Sequence, residues 1–529
     1  MKFKMLNFPF IVTLILALSA VSCSDVWDEH YNSEPLNKSS LNLYQYISKD
    51  STLTKFAQML RVTGYDSILS RSQSYTVWAP TNESLSQVNV LDLRIDSLIV
   101  KNHITRFSYS TSILASAGKM LRMFDDKLLQ FNKTATGFTF GGKPIIKSDL
   151  AVKNGIVHII GEYVPYTPNF LEFIEQHPGL DSLRTYINSL YTKTYDPTAS
   201  FQDKVFVDSV FKSTNYLLNN IAALNVEDSI YTAILPNNAA WIDASNRIKT
   251  FYKFLDADGG VTAQMAYTKQ RLVRNLFFRG NVVQPITADT LASTYRYLYY
   301  YSSYIYPYKF ANPSRLFNTT DTTRLSNGLA YVTSKLMHKA TESWFDTIRV
   351  EAENANFKTG DKINYDATIN SSAGTNFKTS GGRYMYLKDA STSGLSAPFA
   401  TFEIPNTLSG KYNIYCVLPP GNIAKPGDLR SVKVRFYLSY IGATGKQVIN
   451  QQLKLAGDPY ISVPNVVNKI KVAENFVFPY CNLQYDATKT YVPTVKLKVV
   501  TAVTFSSVPE TAAYIRDLLI DCIILEPVE

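Results

Sequence analysis

The sequence predicts a multidomain chain: two copies of an α+β module followed by an all-β sandwich. Three observations predict it. The stretch Ser74-Tyr75-Thr76-Val77-Trp78-Ala79-Pro80-Thr81-Asn82 returns, little changed, as Ile230-Tyr231-Thr232-Ala233-Ile234-Leu235-Pro236-Asn237-Asn238. Two further markers follow each copy in the same order. Val100-Lys101-Asn102-His103-Ile104 is answered by Val273-Arg274-Asn275-Leu276-Phe277, and Lys153-Asn154-Gly155-Ile156-Val157 by Ser326-Asn327-Gly328-Leu329-Ala330. After residue 347 the apolar residues change to a period of two, which is the spacing of half-buried strands.

The spacings support a duplication. Asn102 to Asn154 is 52 positions (154 − 102), and Asn275 to Asn327 is also 52 (327 − 275). Pro80 to Asn102 is 22 and Pro236 to Asn275 is 39, so copy two carries 17 extra residues (39 − 22) in its first half. Extra length is tolerated best in surface loops, so a loop around Asp256-Ala257-Asp258-Gly259-Gly260 is expected. At 529 residues the chain has room for about three domains. The net charge is +10, but the basic residues are scattered singly. A nucleic-acid footprint needs them clustered, so no nucleic-acid partner is expected.

Tyr75-Thr76-Val77-Trp78-Ala79-Pro80-Thr81-Asn82 closely resembles the signature of fasciclin domains, and Asn154-Gly155 with its alternating apolar tail resembles their closing strand. The resemblance implies two α+β fasciclin-like domains, at residues 40–165 and 166–342, and a role in adhesion. Animal fasciclin domains are credited with a Tyr-His adhesion pair. The aligned pairs here are Asn102-His103 and Asn275-Leu276, so that role is not carried over.

Residues 1–22 read as a secretion signal, with Lys2 and Lys4 ahead of a short apolar stretch, Ile11 to Ala20. That stretch is too short to span a bilayer. Ala20 and Ser22 precede a lone Cys23, which resembles a bacterial lipobox with Ala20 at the usual leucine position. The resemblance implies that Cys23 is lipidated; the alternative is an ordinary signal with an incidental cysteine. Asp25, Asp28 and Glu29 resemble the surface-export tag of Bacteroides-type lipoproteins. The expected location is therefore the outer face of the outer membrane, with residues 23–39 as a tether and the membrane as a partner through the lipid.

In copy one, Leu43, Tyr46, Ile47, Phe56, Met59 and Leu60 recur at helical spacing and Gly64 closes the second helix. Gly141-Gly142 reads as a hairpin turn and Asn154-Gly155 as a type I′ turn. In copy two, Phe170, Phe173 and Ile174 start the helical part, and Leu183, Tyr186 and Ile187 continue it. A run of tyrosines follows between Tyr295 and Tyr308. Tyrosine suits both aromatic half-buried strands and a ligand-stacking face. Under the second reading Tyr297, Tyr299, Tyr301 and Tyr304 are the ligand-binding candidates.

Residues 347–529 carry the period-two runs Tyr412, Ile414, Cys416, Leu418; Val432, Val434, Phe436, Leu438; and Val495, Leu497, Val499. The opening Val350-Glu351-Ala352-Glu353, the middle Gly381-Gly382-Arg383-Tyr384 and the closing strand after Asp521 resemble galactose-binding-like jelly rolls of the carbohydrate-binding-module kind. That resemblance implies a jelly-roll-type sandwich and places Glu351, Glu353 and Asp521 as candidates for a structural calcium. Carboxylates suit such a hard cation; solvated or capping charge is the alternative. Cys416, Cys481 and Cys522 admit one disulfide and one thiol, or three small apolar residues.

No zinc-protease, nucleophile-elbow or phosphate-loop motif occurs. His30, His103, His158, His177 and His338 are dispersed, and His103 and His158 read as structural. Asp-Ser or Asp-Thr pairs at Asp66, Asp96, Asp181 and elsewhere resemble O-glycosylation acceptors, or simply start helices and turns. The sequence therefore predicts a non-catalytic cell-surface lipoprotein that needs no cofactor. Its expected partner is a polysaccharide or matrix component, taken beside a glycan-uptake system. The alternative is a protein–protein adhesin or scaffold.

Overall fold

The computed structural model describes residues 38–529, apart from 91, 115–117, 203, 204, 207, 299–304, 320, 354–357, 361–364, 390–396 and 484–491. The chain forms two compact units. One runs to Asn169 and includes Val226–Asp228; the other holds Phe170–Asn225 and Ser229–Glu529.

In the first unit the strand Tyr75–Pro80 is buried along its whole length. It pairs antiparallel with Ile104–Arg106 and parallel with Gly155–Ile160. The sheet continues through Lys143–Val152, Gly137–Phe140 and Leu128–Thr134 to Lys119–Arg122. Successive side chains on a strand face opposite ways, and both faces are covered here. Tyr75, Val77 and Ala79 join Leu43, Ile47, Phe56, Met59 and Leu60 of helices Leu43–Lys49 and Thr54–Val62. Trp78 joins Phe131, Phe140 and Ile160 on the other side, its ring stacked 4.1 Å from that of Phe140. Covering on both sides is why this strand reads as a continuous apolar run.

The repeat markers are hydrogen-bonding devices, and both copies use them alike. Asn82 Oδ1 accepts from Lys55 N (2.9 Å) and caps helix Thr54–Val62. Asn238 Oδ1 accepts from Ser182 N (3.0 Å) and does the same for Asp181–Ser189. Asn154 Oδ1 accepts from Leu43 N and its Nδ2 donates to Leu69 O, both at 2.9 Å. Asn327 repeats this with Phe170 N (3.0 Å) and Leu224 O (2.9 Å). Beside each asparagine, a Cβ on Gly155 would lie 2.0 Å from Tyr75 O, and one on Gly328 1.8 Å from Tyr231 O. Only glycine fits under those carbonyls.

The expected type I′ turn at Asn154-Gly155 is corrected. Val152 pairs with Gly155, so Lys153 and Asn154 form the turn, and neither has positive φ. Asn154 is committed to the core by its side chain instead. The Gly141-Gly142 turn is as expected, with φ of 54° and 79°.

In the second unit the strand Tyr231–Pro236 pairs antiparallel with Phe277–Arg279 and parallel with Gly328–Thr333, matching the arrangement around Tyr75–Pro80. The 17 extra residues are not a surface loop. Copy two has two helices, Asn238–Ile248 and Gly260–Val273, where copy one has Leu93–Asn102, and the added helix buries Ala240, Trp241, Ala244 and Ile248. A second insertion lies upstream. Phe170 to Tyr231 is 61 positions (231 − 170), against 32 from Leu43 to Tyr75 (75 − 43). Much of this 29-residue excess (61 − 32) is a ribbon of strands Tyr191–Tyr195 and Phe211–Asn215, which among the described residues pair only with each other.

The remainder of this unit is mainly antiparallel sheet, with one short parallel pairing of Ser431 and Val432 with Tyr514 and Ile515. Ile348–Glu351 pairs with Cys522–Val528, which pairs with Lys411–Leu418, then Asn468–Val477. A second sheet runs Lys358–Gly360, Phe399–Glu403, Lys496–Thr501, Ser431–Ile441, Gln447–Leu453, and a third joins Tyr365–Ser371, Arg383–Asp389 and Leu518–Ile520. The predicted inward positions Tyr412, Ile414, Cys416, Val434, Phe436, Leu438, Leu497 and Val499 are all fully buried. Copy two and these sheets share one core. Phe345 stands between them, 4.7 Å from the Phe251 ring and 4.8 Å from Tyr412. Among the described residues no helix is long and apolar enough to cross a membrane.

Candidate cation site

The edge pairing of Ile348–Glu351 with Cys522–Val528 sets Glu351 opposite Cys522. Ala352 N donates to the backbone oxygen of Asp521 (2.8 Å), which fixes the segments that carry Glu351, Glu353 and Asp521 side by side. The turn Ser380–Gly382 closes over them. Ser380 N donates to both carboxylate oxygens of Asp521 (3.0 and 3.1 Å), and Ser380 Oγ donates to Glu351 Oε1 (2.6 Å). Gly381, at φ 58°, supplies the left-handed backbone conformation of this turn. Arg349 reaches the same serine, Nη1 donating to Ser380 Oγ at 3.2 Å.

Electrostatics make the cluster hold protons tightly and make it receptive to a cation in their place. Asp521 is 3% exposed and Glu351 5%. Burial, reinforced by the Glu351 and Glu353 charges, lifts the Asp521 carboxyl to about 7 against the opposing pull of Ser380 N–H and Arg349. Burial also raises Glu351, with Glu353 adding to the effect and the Ser380 hydroxyl opposing it. Ligand atoms of Glu351, Asp521 and Cys522 lie within 4.8 Å of one another. Burial and the neighbouring carboxylates push the Cys522 thiol far above its ordinary range, so it stays protonated. The donor set is therefore oxygen, which fits a hard divalent cation and not a thiolate-seeking one.

The other predicted site residues are placed less informatively. Tyr299, Tyr301 and Tyr304 lie outside the described residues, as do Cys23 and the signal and tether. Tyr297 belongs to strand Thr290–Leu298 and its backbone is in register with Tyr306 on the neighbouring strand. Cys416, Cys481 and Cys522 are free thiols, which decides between the two cysteine readings. Asp66, Asp96 and Asp181 each sit in the first turn of a helix, where a carboxylate is favoured. Aromatic exposure that the sequence reading passed over lies on the ribbon insert: Tyr191, Tyr195 and Phe211 are 41%, 42% and 55% exposed. Their spacing in a short polar strand was the available signal.

Asn82, Asn154 and Gly155 of the first unit fall within a stretch that matches a known module. Residues 51–164 match the Fasciclin domain. The chain is 27% identical over 129 residues to transforming growth factor-beta-induced protein ig-h3 of Sus scrofa, which covers 23% of this chain and 19% of that protein. It is 26% identical over 159 residues to stabilin-1 of Mus musculus, covering 27% of this chain and 6% of that protein. The chain thus spans a fifth or less of these relatives. Among solved structures, a FAS1 domain pair from the insect cell adhesion molecule fasciclin I is similar at TM-score 0.21 and 16% identity, over 55% of this chain and 98% of that one. A family 22 carbohydrate binding module of Clostridium thermocellum is similar at TM-score 0.21 and 13% identity, over 34% and 91% of the two chains.

Within the fasciclin domain the two motif histidines are satisfied core groups. His103 Nδ1 donates to Ile99 O (2.7 Å) while Nε2 accepts from Val164 N (2.9 Å). His158 Nδ1 accepts from Asp149 N (3.2 Å) and Nε2 donates to Tyr109 O (2.9 Å). Both rings are fully buried, so neither offers a contact to a partner.

Proposed function

We propose that this protein is a non-catalytic binding protein of the cell surface, held by a lipid on Cys23 and built from two fasciclin-like modules and a jelly-roll-type sandwich that recognises a glycan or matrix component. The observation that carries the adhesive part is the fasciclin match over residues 51–164. The second module is supported by the shared strand pairing and by Asn238 and Asn327 repeating the bonds of Asn82 and Asn154. The glycan part is supported by the sequence likeness of the sandwich ends to carbohydrate-binding modules, ends that the fold pairs directly. Glu351, Glu353 and Asp521 would hold a divalent cation; when bound, it supplies the positive charge that offsets three crowded carboxylates and fastens the two ends of the sandwich.

Affinity gels and a glycan array with the mature chain test the reading. Retention on a polysaccharide is expected; retention on none removes the sugar version. Replacing Cys23 with alanine is expected to release the protein from membranes, and unchanged partitioning refutes the anchor. A protein–protein role is favoured by the ribbon insert, whose exposed aromatic face has the composition of an interaction surface. Pull-downs from envelope extracts with the ribbon deleted separate it from the sugar reading.

A further inference from the structure

The C-terminal end of helix Gly260–Val273 carries two arginines into an aromatic enclosure. Arg271 lies in its last turn and Arg274 caps it. Arg274 is 6% exposed, and its guanidinium lies over the Tyr295 ring (4.1 Å) and beside that of Tyr308 (5.7 Å). Arg271 lies 5.9 Å from the Tyr267 ring. Asp346 is the ion-pair partner of Arg274, while Arg271 bonds the buried Tyr252 hydroxyl and feels the Asp346 charge without a salt bridge to it among the described residues. Asp346 Oδ2 is 3.6 Å from Arg274 Nη1, its side chain is 45% exposed, and its other oxygen accepts from the Tyr308 hydroxyl at 3.2 Å. Among the described residues the Nε–H groups of both arginines are buried with no hydrogen-bond partner.

Buried guanidinium donors are costly to leave unmet. The end of the helix dipole accounts for one cation drawn to that place, but not for a second buried guanidinium beside it with no salt bridge of its own among the described residues. The imbalance is one positive charge and at least two N–H donors. An oxyanion with two or three acceptor oxygens corrects both, because a guanidinium fork matches carboxylate and sulfate geometry.

We propose that Arg271 and Arg274, walled by Tyr267, Tyr295 and Tyr308, form a receptor for one oxyanion, a carboxylate or sulfate, carried by an acidic polysaccharide or free in solution. The polysaccharide form deepens the glycan reading above and rests on it; the anion site itself does not. Asp346 is then the internal competitor, occupying one edge of the receptor until the ligand arrives.

The test uses the full chain with sodium sulfate as probe, read by calorimetry at ionic strength matched with chloride. Saturable sulfate binding is expected. Asp346→Asn removes the competitor and is expected to tighten it by about tenfold, while Arg274→Lys, which keeps the charge but loses the flat fork, weakens it by about tenfold or more. Absence of saturable binding to both wild type and Asp346→Asn overturns the proposal. So does equal affinity in wild type and Asp346→Asn, an arm that stands even where Arg274→Lys fails to fold. Polygalacturonate and dextran sulfate then distinguish the source: retention competed by sulfate assigns the anion to a glycan, and sulfate binding without retention assigns it to a free ion. Retention on neutral dextran that is indifferent to sulfate and to Arg274→Lys overturns this inference while leaving the glycan reading intact.

Discussion

Replacing Asp521 with asparagine is expected to stabilise the metal-free protein at high pH and to do nothing at low pH. An unfolded aspartate titrates near 3.8, whereas in the fold burial and two neighbouring glutamates lift Asp521 to about 7. A carboxyl raised in the folded state favours folding below 3.8 and withdraws that support as pH climbs through about 7. Three powers of ten in proton affinity set a ceiling of about 4 kcal/mol on the penalty carried by the ionised form. Relaxation and water penetration around the ionised group reduce it to about 2 kcal/mol, or roughly 4–8 °C in Tm for a domain of this size. Thermal denaturation in EDTA at about pH 8 and about pH 4.5 checks this, with the difference between wild type and Asp521→Asn cancelling the titrating groups remote from this cluster. Millimolar calcium should recover most of the gap in wild type at high pH and add little to the variant, because a divalent cation replaces the proton as the source of positive charge. Wild type and variant shifting in parallel with pH would refute the electrostatic reasoning, and calcium-independence of both would refute the cation site.

Three further outcomes follow from the same geometry. His103 is held at about 4 by burial, below the 6.5 of an unfolded histidine, so its support is present above 6.5 and drains away as pH falls toward 4. Acidifying from pH 7 to pH 5 should cost the first unit about 2 kcal/mol, and His103→Gln should flatten that slope in a chemical-denaturation series. Lys127 and Glu227 form an ion pair at 2.7 Å with each side chain 3% exposed; Lys127→Met should destabilise by about 3–5 kcal/mol by burying a carboxylate without its cation, with Glu227→Gln partly rescuing it. Gly155→Ala and Gly328→Ala force a methyl against a backbone carbonyl and should each cost about 2–4 kcal/mol. Gly64→Ala, with φ 77° but open space around it, should cost about 1 kcal/mol, so equal losses at all three sites would count against the close-approach argument.

What was legible in the sequence is what the chain does locally. The Tyr75 and Tyr231 strands, the Asn154 and Asn327 ties and the inward rows at Tyr412, Val434 and Leu497 are each written in a few adjacent residues, because a strand period or a capping asparagine acts within one turn or one rung. The ribbon insert escaped because the copies were aligned from Pro80 onward, while the excess lies before Tyr231. The added helix was mistaken for a loop since length alone says nothing about burial, and Trp241 and Ile248 needed their partners to be recognised as core. Asn154-Gly155 misled for a related reason: the pair is a common turn signal, but here the asparagine side chain is spent on Leu43 and Leu69, and the glycine is kept for its missing Cβ.

The two charged clusters show where such reading stops. Glu351 and Asp521 stand 170 positions apart (521 − 351) and Arg274 and Asp346 stand 72 apart (346 − 274). For the first pair a family likeness supplied the link; for the second nothing in the chain order does, and the partnership exists only once the helix Gly260–Val273 has packed against the strand that carries Tyr308. The two clusters are also opposite in kind. One gathers acid groups beyond what Arg349 can neutralise, the other gathers cations beyond what Asp346 can neutralise, and both are buried enough for the imbalance to matter. Under the function proposed above each imbalance would be repaired by a charge from outside the chain, a divalent cation at the first cluster and an oxyanion at the second.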